Sequence, residues 1–83
     1  MIKMLIFSKH FSEMLKQRNI HEEWIQRTID DPDSIESHQV GYTKHFLKKI
    51  VENENRWLRV VVNVEKIPCK AVTVFFDRRL REK

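Results

Sequence analysis

The sequence predicts an α+β domain in which two short helices pack on one face of a mainly antiparallel sheet, in the order β-α-α-β-β-β. Three observations carry this expectation. Apolar residues recur at helical spacing up to Asp31, they switch to strand-like runs beyond Ser34, and short polar turns separate those runs. A chain of 83 residues that is 41% apolar is too short for two cores and rich enough for one. We therefore expect residues 1–83 to form a single domain.

The opening stretch Ile2 to Phe7 is apolar and bounded by Ser8, which fits a buried first strand. Ser8 can cap a helix, and Phe11, Met14, Leu15 and Arg18 then recur at helical spacing, placing helix one over about 9–18. Asn19-Ile20-His21 interrupts it, and Glu22-Glu23 favours the start of a second helix through the dipole. Trp24, Ile25, Thr28 and Ile29 form the inward face of that helix. Asp31 precedes Pro32, which disfavours helical geometry at Asp31, and Asp33-Ser34 continues the turn. Strands are then expected from Tyr42 to Val51, from Trp57 to Val64 and from Lys70 to Phe76, with a turn at Asn53-Glu54-Asn55 and a loop around Pro68. Alternation puts Leu58, Val60, Val62 and Val64 against the helices together with Val72, Val74 and Phe76. Trp57, Arg59, Val61 and Asn63 take the other face, with Ala71, Thr73 and Phe75.

Charge is unevenly distributed. Residues 10–37 hold seven acids against Lys16, Arg18 and Arg27, a balance of −4, whereas residues 38–83 hold eleven Lys and Arg against five acids, a balance of +6. A basic half of this kind commonly meets phosphate, and it also serves simply as a solubilising face. The lone Cys69 has no CxxC partner and reads as a packing residue of a reducing compartment. The apolar start breaks at Ser8-Lys9-His10, short of a signal-peptide core or a membrane span, so a cytoplasmic, membrane-free protein is expected.

Other chemistries lack their residues. Gly41 is the single glycine, which excludes GxGxxG and P-loop cradles. His10, His21, His38 and His45 show no zinc spacing, and the serines lack a nucleophile-elbow context, so neither metal nor cofactor is expected. What remains is basic and aromatic: Lys44, His45, Lys48 and Lys49 on one strand, Trp57 and Arg59 on the next, Thr73 on the third, then Arg78, Arg79 and Arg81. Single-stranded nucleic acid is bound by such mixtures, because cations track phosphates while rings stack with bases. Arg59, between Leu58 and Val60, must face water, an acid or a ligand. His10 and Arg18 lie eight positions apart, about 80° around a helix, so they can share one side.

Lys9-His10-Phe11, Arg18-Asn19-Ile20, Trp24-Ile25, Ile29, Pro32 and Ile35, a Lys-rich strand, Leu58-Arg59-Val60-Val61-Val62 and Val72-Thr73-Val74-Phe75-Phe76-Asp77-Arg78 together resemble a small bacterial domain-of-unknown-function family, number 4258. That family is similar to the BrnT and RelE-like toxins within the barnase, colicin and RelE assembly of ribonucleases, often encoded beside an antitoxin. The resemblance implies a RelE/barnase-like fold whose sheet handles RNA, with an antitoxin protein as a further partner. Asn19 stands where the family usually has Gly, a mild change because Asn tolerates left-handed backbone.

On a ribonuclease reading, metal-independent cleavage needs a base for the 2′-OH, an acid for the leaving oxygen and cations for the phosphate. An imidazole serves either way near neutrality, which nominates His10 as the acid/base residue. Arg59 and Arg78 are the expected clamps at the catalytic centre. Arg18, Lys48, Trp57 and Thr73 are the expected RNA-binding residues. A non-catalytic module that docks nucleic acid or protein, and a subunit whose sheet edge pairs with another chain, remain alternatives.

Overall fold

A computed structural model describes residues 5–38, 42–65 and 68–80. The elements run β1 (Leu5–Ile6), α1 (Lys9–Gln17), α2 (Glu22–Asp30), β2 (Ser34–His38), β3 (Thr43–Ile50), β4 (Arg56–Asn63), β5 (Cys69–Phe76) and a 3₁₀ turn (Arg78–Leu80). They form one five-stranded sheet in the order β1-β5-β4-β3-β2. Neighbours β2 to β5 are antiparallel, and β1 is parallel to β5. This is the expected α+β arrangement of two helices on a mostly antiparallel sheet. The part of the expected first strand before Leu5 lies outside the described residues.

Each boundary has a local cause. The Ser8 hydroxyl accepts a hydrogen bond from the Phe11 backbone N–H at 3.1 Å and so caps α1. Asn19 then takes φ 55°, a left-handed conformation that short polar side chains tolerate, and the chain turns into α2. Glu22 and Glu23 occupy the first turn of α2, where negative charge suits the dipole. At its other end Lys48 donates to the Asp31 carbonyl at 2.8 Å and lies near the Asp31 and Asp33 carboxylates. The β3–β4 turn places Glu54 and Asn55 at φ 56° and 58°.

The core is a single apolar layer between helices and sheet. Phe11, Met14 and Leu15 from α1 meet Trp24, Ile25 and Ile29 from α2 over Phe46, Ile50, Leu58, Val60, Val62, Ala71 and Val74. Thr28, fully buried, returns its hydroxyl to the Trp24 carbonyl at 2.7 Å. Cys69 packs against this cluster, partly buried.

Two expectations need correction. No strand is expected between the Asp33-Ser34 turn and Tyr42, yet Ser34–His38 form β2, which pairs with β3 from Ser34↔Leu47 to His38↔Thr43. Four of its five residues are polar and Ile35 is half exposed, so no apolar alternation announces it. Between β4 and β5 the register shifts at Val61/Val62, with Val61 opposite Thr73 and Val62 opposite Ala71. Val72 is the extra residue, and a single insertion reverses side-chain parity. Ala71 therefore joins the core at 2% exposure while Val72 is 48% exposed, the reverse of strict alternation.

Candidate functional site

Pairing with the core sorts the sheet faces. On β3, Lys44, Phe46, Lys48 and Ile50 share the helix side, because Phe46 opposes Val60 and Lys48 opposes Leu58. His45, Leu47 and Lys49 point to the other face, and opposite them stand Val61, Arg59 and Trp57. Phe75 of β5 opposes Arg59 from the other side.

Arg59 is the centre of this second face. It is only 5% exposed, yet its guanidinium has polar partners. Its Nε donates to Asp77 Oδ2 at 2.8 Å, and its Nη1 donates to Glu36 Oε1 at 2.9 Å and to His45 Nδ1 at 2.8 Å. A guanidinium cannot accept a hydrogen bond, so Nδ1 is the acceptor and the His45 ring hydrogen lies on Nε2. Glu36 and His45 are directly opposed across β2 and β3, which places a carboxylate and an imidazole side by side at one guanidinium. The Glu36 side chain is 45% exposed and the His45 residue half-buried, so this part of the face opens to solvent.

Asp77 anchors the arrangement from below. It follows β5, donates its backbone N–H to the Trp57 carbonyl at 2.8 Å, and keeps its side chain buried. Arg79 reaches back from the 3₁₀ turn, donating its backbone N–H and Nε to Oδ1 and its Nη2 to Oδ2. Hydrogen bonding from Arg79, followed by that from Arg59, holds the Asp77 carboxyl well below the usual carboxylate range against the cost of burial, and Asp77 in turn raises Arg79.

A pH dependence follows from that shift. A carboxylate depressed in the folded state stabilises the protein fully above its unfolded value of 3.8, and the contribution is lost as pH falls toward the folded value. Glu52, lowered to about 2 chiefly by its hydrogen bond from Arg27, acts in the same direction at an exposed pair. Urea midpoints should therefore be level from about pH 5 to 7 and decline steadily below about pH 4. Asp77→Asn should flatten that decline, and an unchanged acid slope in this variant would count against the assignment.

The structure does not gather all the residues nominated from sequence. Arg59 is central, Trp57 lies on its face beside Lys49, and Arg78 is exposed in the adjoining 3₁₀ turn. His10 is exposed on the first turn of α1, whose apolar side packs on the opposite face of the sheet. Lys48 also belongs to that opposite face, occupied by the end of α2. Arg18 donates to the Val74 carbonyl at 2.6 Å, covering the edge of β5 beyond its short pairing with β1. The Thr73 hydroxyl lies 3.6 Å from Met14 Sδ. His10, Arg18, Lys48 and Thr73 are thus held apart from the Arg59 cluster or engaged in fold contacts. Glu36 was not singled out from sequence, Asp77 entered only within the run that carries the family resemblance, and His45 and Arg79 entered only as members of the basic set. The signal that would have found the Glu36–His45 pair is the β2–β3 register, which requires β2 to be recognised first.

Among the described residues no group of three or more His, Cys, Asp or Glu side chains is placed to hold a metal ion, and no helix is long and apolar enough to cross a membrane. Neither a comparison with curated proteins nor one with solved structures returned a match. A scan against protein families matches residues 7–76, which include both helices and β2 to β5. On that match, covering most of its length, the chain belongs to the family described as a domain of unknown function (DUF4258).

Proposed function

We propose that this domain binds single-stranded RNA on the face around Arg59 and cleaves it without a metal ion, as a toxin-type endoribonuclease restrained by an antitoxin. The single observation that carries the reading is the Arg59 guanidinium shared between Glu36 and His45. A carboxylate, an imidazole and a cation are the three components that metal-free phosphodiester cleavage needs. Trp57 and Lys49 extend the same side with stacking and phosphate-binding chemistry, and Arg78 is exposed in the adjoining 3₁₀ turn. The resemblance drawn from the sequence, which implies kinship with BrnT and RelE-like toxins, agrees with this proposal.

In this mechanism Glu36 takes the proton of the ribose 2′-OH. The 2′ oxygen attacks phosphorus, the bond to the 5′ oxygen breaks, and His45 delivers a proton to that leaving oxygen. The products are a 2′,3′-cyclic phosphate and a 5′-hydroxyl. Substrate binding prepares the acid. When a phosphate oxygen takes the Arg59 Nη1 hydrogen bond, Nδ1 of His45 is released and can carry a proton, and Arg59 faces the developing charge.

One observation favours a non-catalytic binding module instead: Glu36 and Asp77 already compensate Arg59, as a purely structural ion cluster would. One experiment separates the two. The purified chain, free of any antitoxin and in excess chelator, is incubated with a single-stranded RNA and with the same strand carrying 2′-deoxyribose throughout. We expect cleavage of the RNA alone, with cyclic-phosphate ends, and binding that weakens steeply with salt. Salt-sensitive binding without cleavage would establish the module, and no binding at low salt would remove both.

A further inference from the structure

We propose that the outer edge of β2 is a docking edge for an extended segment of a partner protein, which joins the sheet beside β2 with an apolar side chain near Ile35 and a carboxylate toward Lys44. The proposal is independent of the RNA reading, since its side-chain contacts lie on the helix-facing side of the sheet and not around Arg59.

Two observations meet at Ile35. The first is the edge itself: β2 ends the strand order and pairs with β3 alone among the described strands. An unpaired edge presents backbone N–H and C=O groups ready for another strand, and proteins commonly blunt such edges with Pro or Lys. Ser34–His38 contains neither. The second is a pocket of about 330 Å³ between the end of α2 and the β2–β3 corner. Ile29, Pro32, Ile35, Phe46 and Val64 make it mostly apolar, and Lys44 stands on its lining. Asp30 borders it too, with its carboxylate accepting from Gln26 at 3.0 Å. Strand addition uses both features together, taking affinity from main-chain hydrogen bonds and selectivity from pockets for alternate side chains.

The register identifies the chemistry of the partner. Ile35 opposes Phe46 and Ser37 opposes Lys44, and opposed residues share a face. On an added strand, the residue beside Ile35 is therefore next to the pocket. The residue two positions along is on the same face beside Ser37, whose short side chain leaves the space toward Lys44 open. Two inter-strand steps are about 10 Å, within the combined reach of an extended lysine and a glutamate. Lys44 is exposed and has no ion-pair partner among the described residues. The fitting segment is thus extended, with an apolar residue and an acid two positions apart.

The test is a titration of ¹⁵N-labelled full chain with two blocked peptides, Thr-Val-Thr-Leu-Thr-Glu-Thr and a twin with Lys in place of Glu, each in both sequence directions. Amide shifts should concentrate in Ser34–His38 and around Lys44, and the acidic peptide should bind roughly fivefold or more tightly than its twin. Lys44→Glu, an exposed change that leaves the core untouched, should reverse that preference, and Ile35→Lys should weaken both peptides. The proposal is overturned by absence of β2 shifts at millimolar peptide, by equal affinities for the two peptides in wild type and Lys44→Glu, or by β2 shifts that track protein concentration without peptide. The last result would make a second copy of the chain the occupant, and the same shifts caused by RNA alone would make it nucleic acid.

Discussion

Glu36→Gln and His45→Gln are each expected to lower the single-turnover rate of metal-free RNA cleavage by roughly a hundredfold or more. Both changes keep the size of the side chain, or close to it, and remove its ability to exchange a proton at the reacting centre. Neither position is in the helix-side core, so the folded fraction should stay high, and circular dichroism checks this before any rate is compared. RNA affinity, read by fluorescence anisotropy, should change far less than the rate, since proton transfer belongs to the transition state. The two variants combined should lose little more than the worse of the singles, because the two groups act as a unit. His10→Gln supplies the contrast. His10 is exposed on α1, whose packed side lies across the sheet from Arg59, so this variant should cleave at the wild-type rate. A hundredfold loss in His10→Gln with His45→Gln unaffected would move the acid/base chemistry to the helix side and refute the assignment made here.

Arg59→Met is expected to cost about 3 kcal/mol or more in urea denaturation, the largest stability effect of any single polar residue on this face. The cause is what it leaves behind. Asp77 has a side chain only 3% exposed, and without Arg59 it keeps Arg79, whose own side chain is 79% exposed and held in water. A buried carboxylate stripped of one partner loses both Coulomb attraction and a hydrogen bond, and the net stability of a domain is typically only about 5–15 kcal/mol. Replacing both members, Arg59→Met with Asp77→Leu, should cost clearly less than the two single losses added together, by at least about 1 kcal/mol. Additive losses would mean that the pair is not coupled, and a single loss below about 1 kcal/mol would mean that water reaches Asp77 readily. RNA affinity need not follow stability here. A variant that folds in the cold and still fails to bind RNA separates the phosphate role of Arg59 from its structural one.

The same guanidinium therefore links fold and proposed chemistry. Asp77, itself held by Arg79, fixes it from the end of β5, and Glu36 and His45 meet it from the strands at the far edge. Three partners, from β2, β3 and the end of β5, converge on one cation.

Much of the architecture was legible in the residues themselves, because it rests on local rules. Ser8 as a cap, Phe11, Met14 and Leu15 at helical spacing, Trp24, Ile25, Thr28 and Ile29 on one helical side, and the alternating run Leu58, Val60 and Val62 each identify an element and its buried face. The left-handed Asn19 and the turn at Glu54 and Asn55 follow from the same short-range preferences. Tertiary structure alone decided the rest, and for one reason: residues meet across strands through register, which depends on pairing partners and not on neighbours in the chain. Polar β2 exists as a strand because β3 offers it a ladder, and only that ladder brings Glu36 to His45. The bulge at Val72 reverses the faces of Ala71 and Val72 through one unpaired residue that no alternation pattern records. His10 was attractive as an isolated imidazole, but the sheet lies between its helix and Arg59, and His45 reaches the guanidinium because strand pairing carries it there.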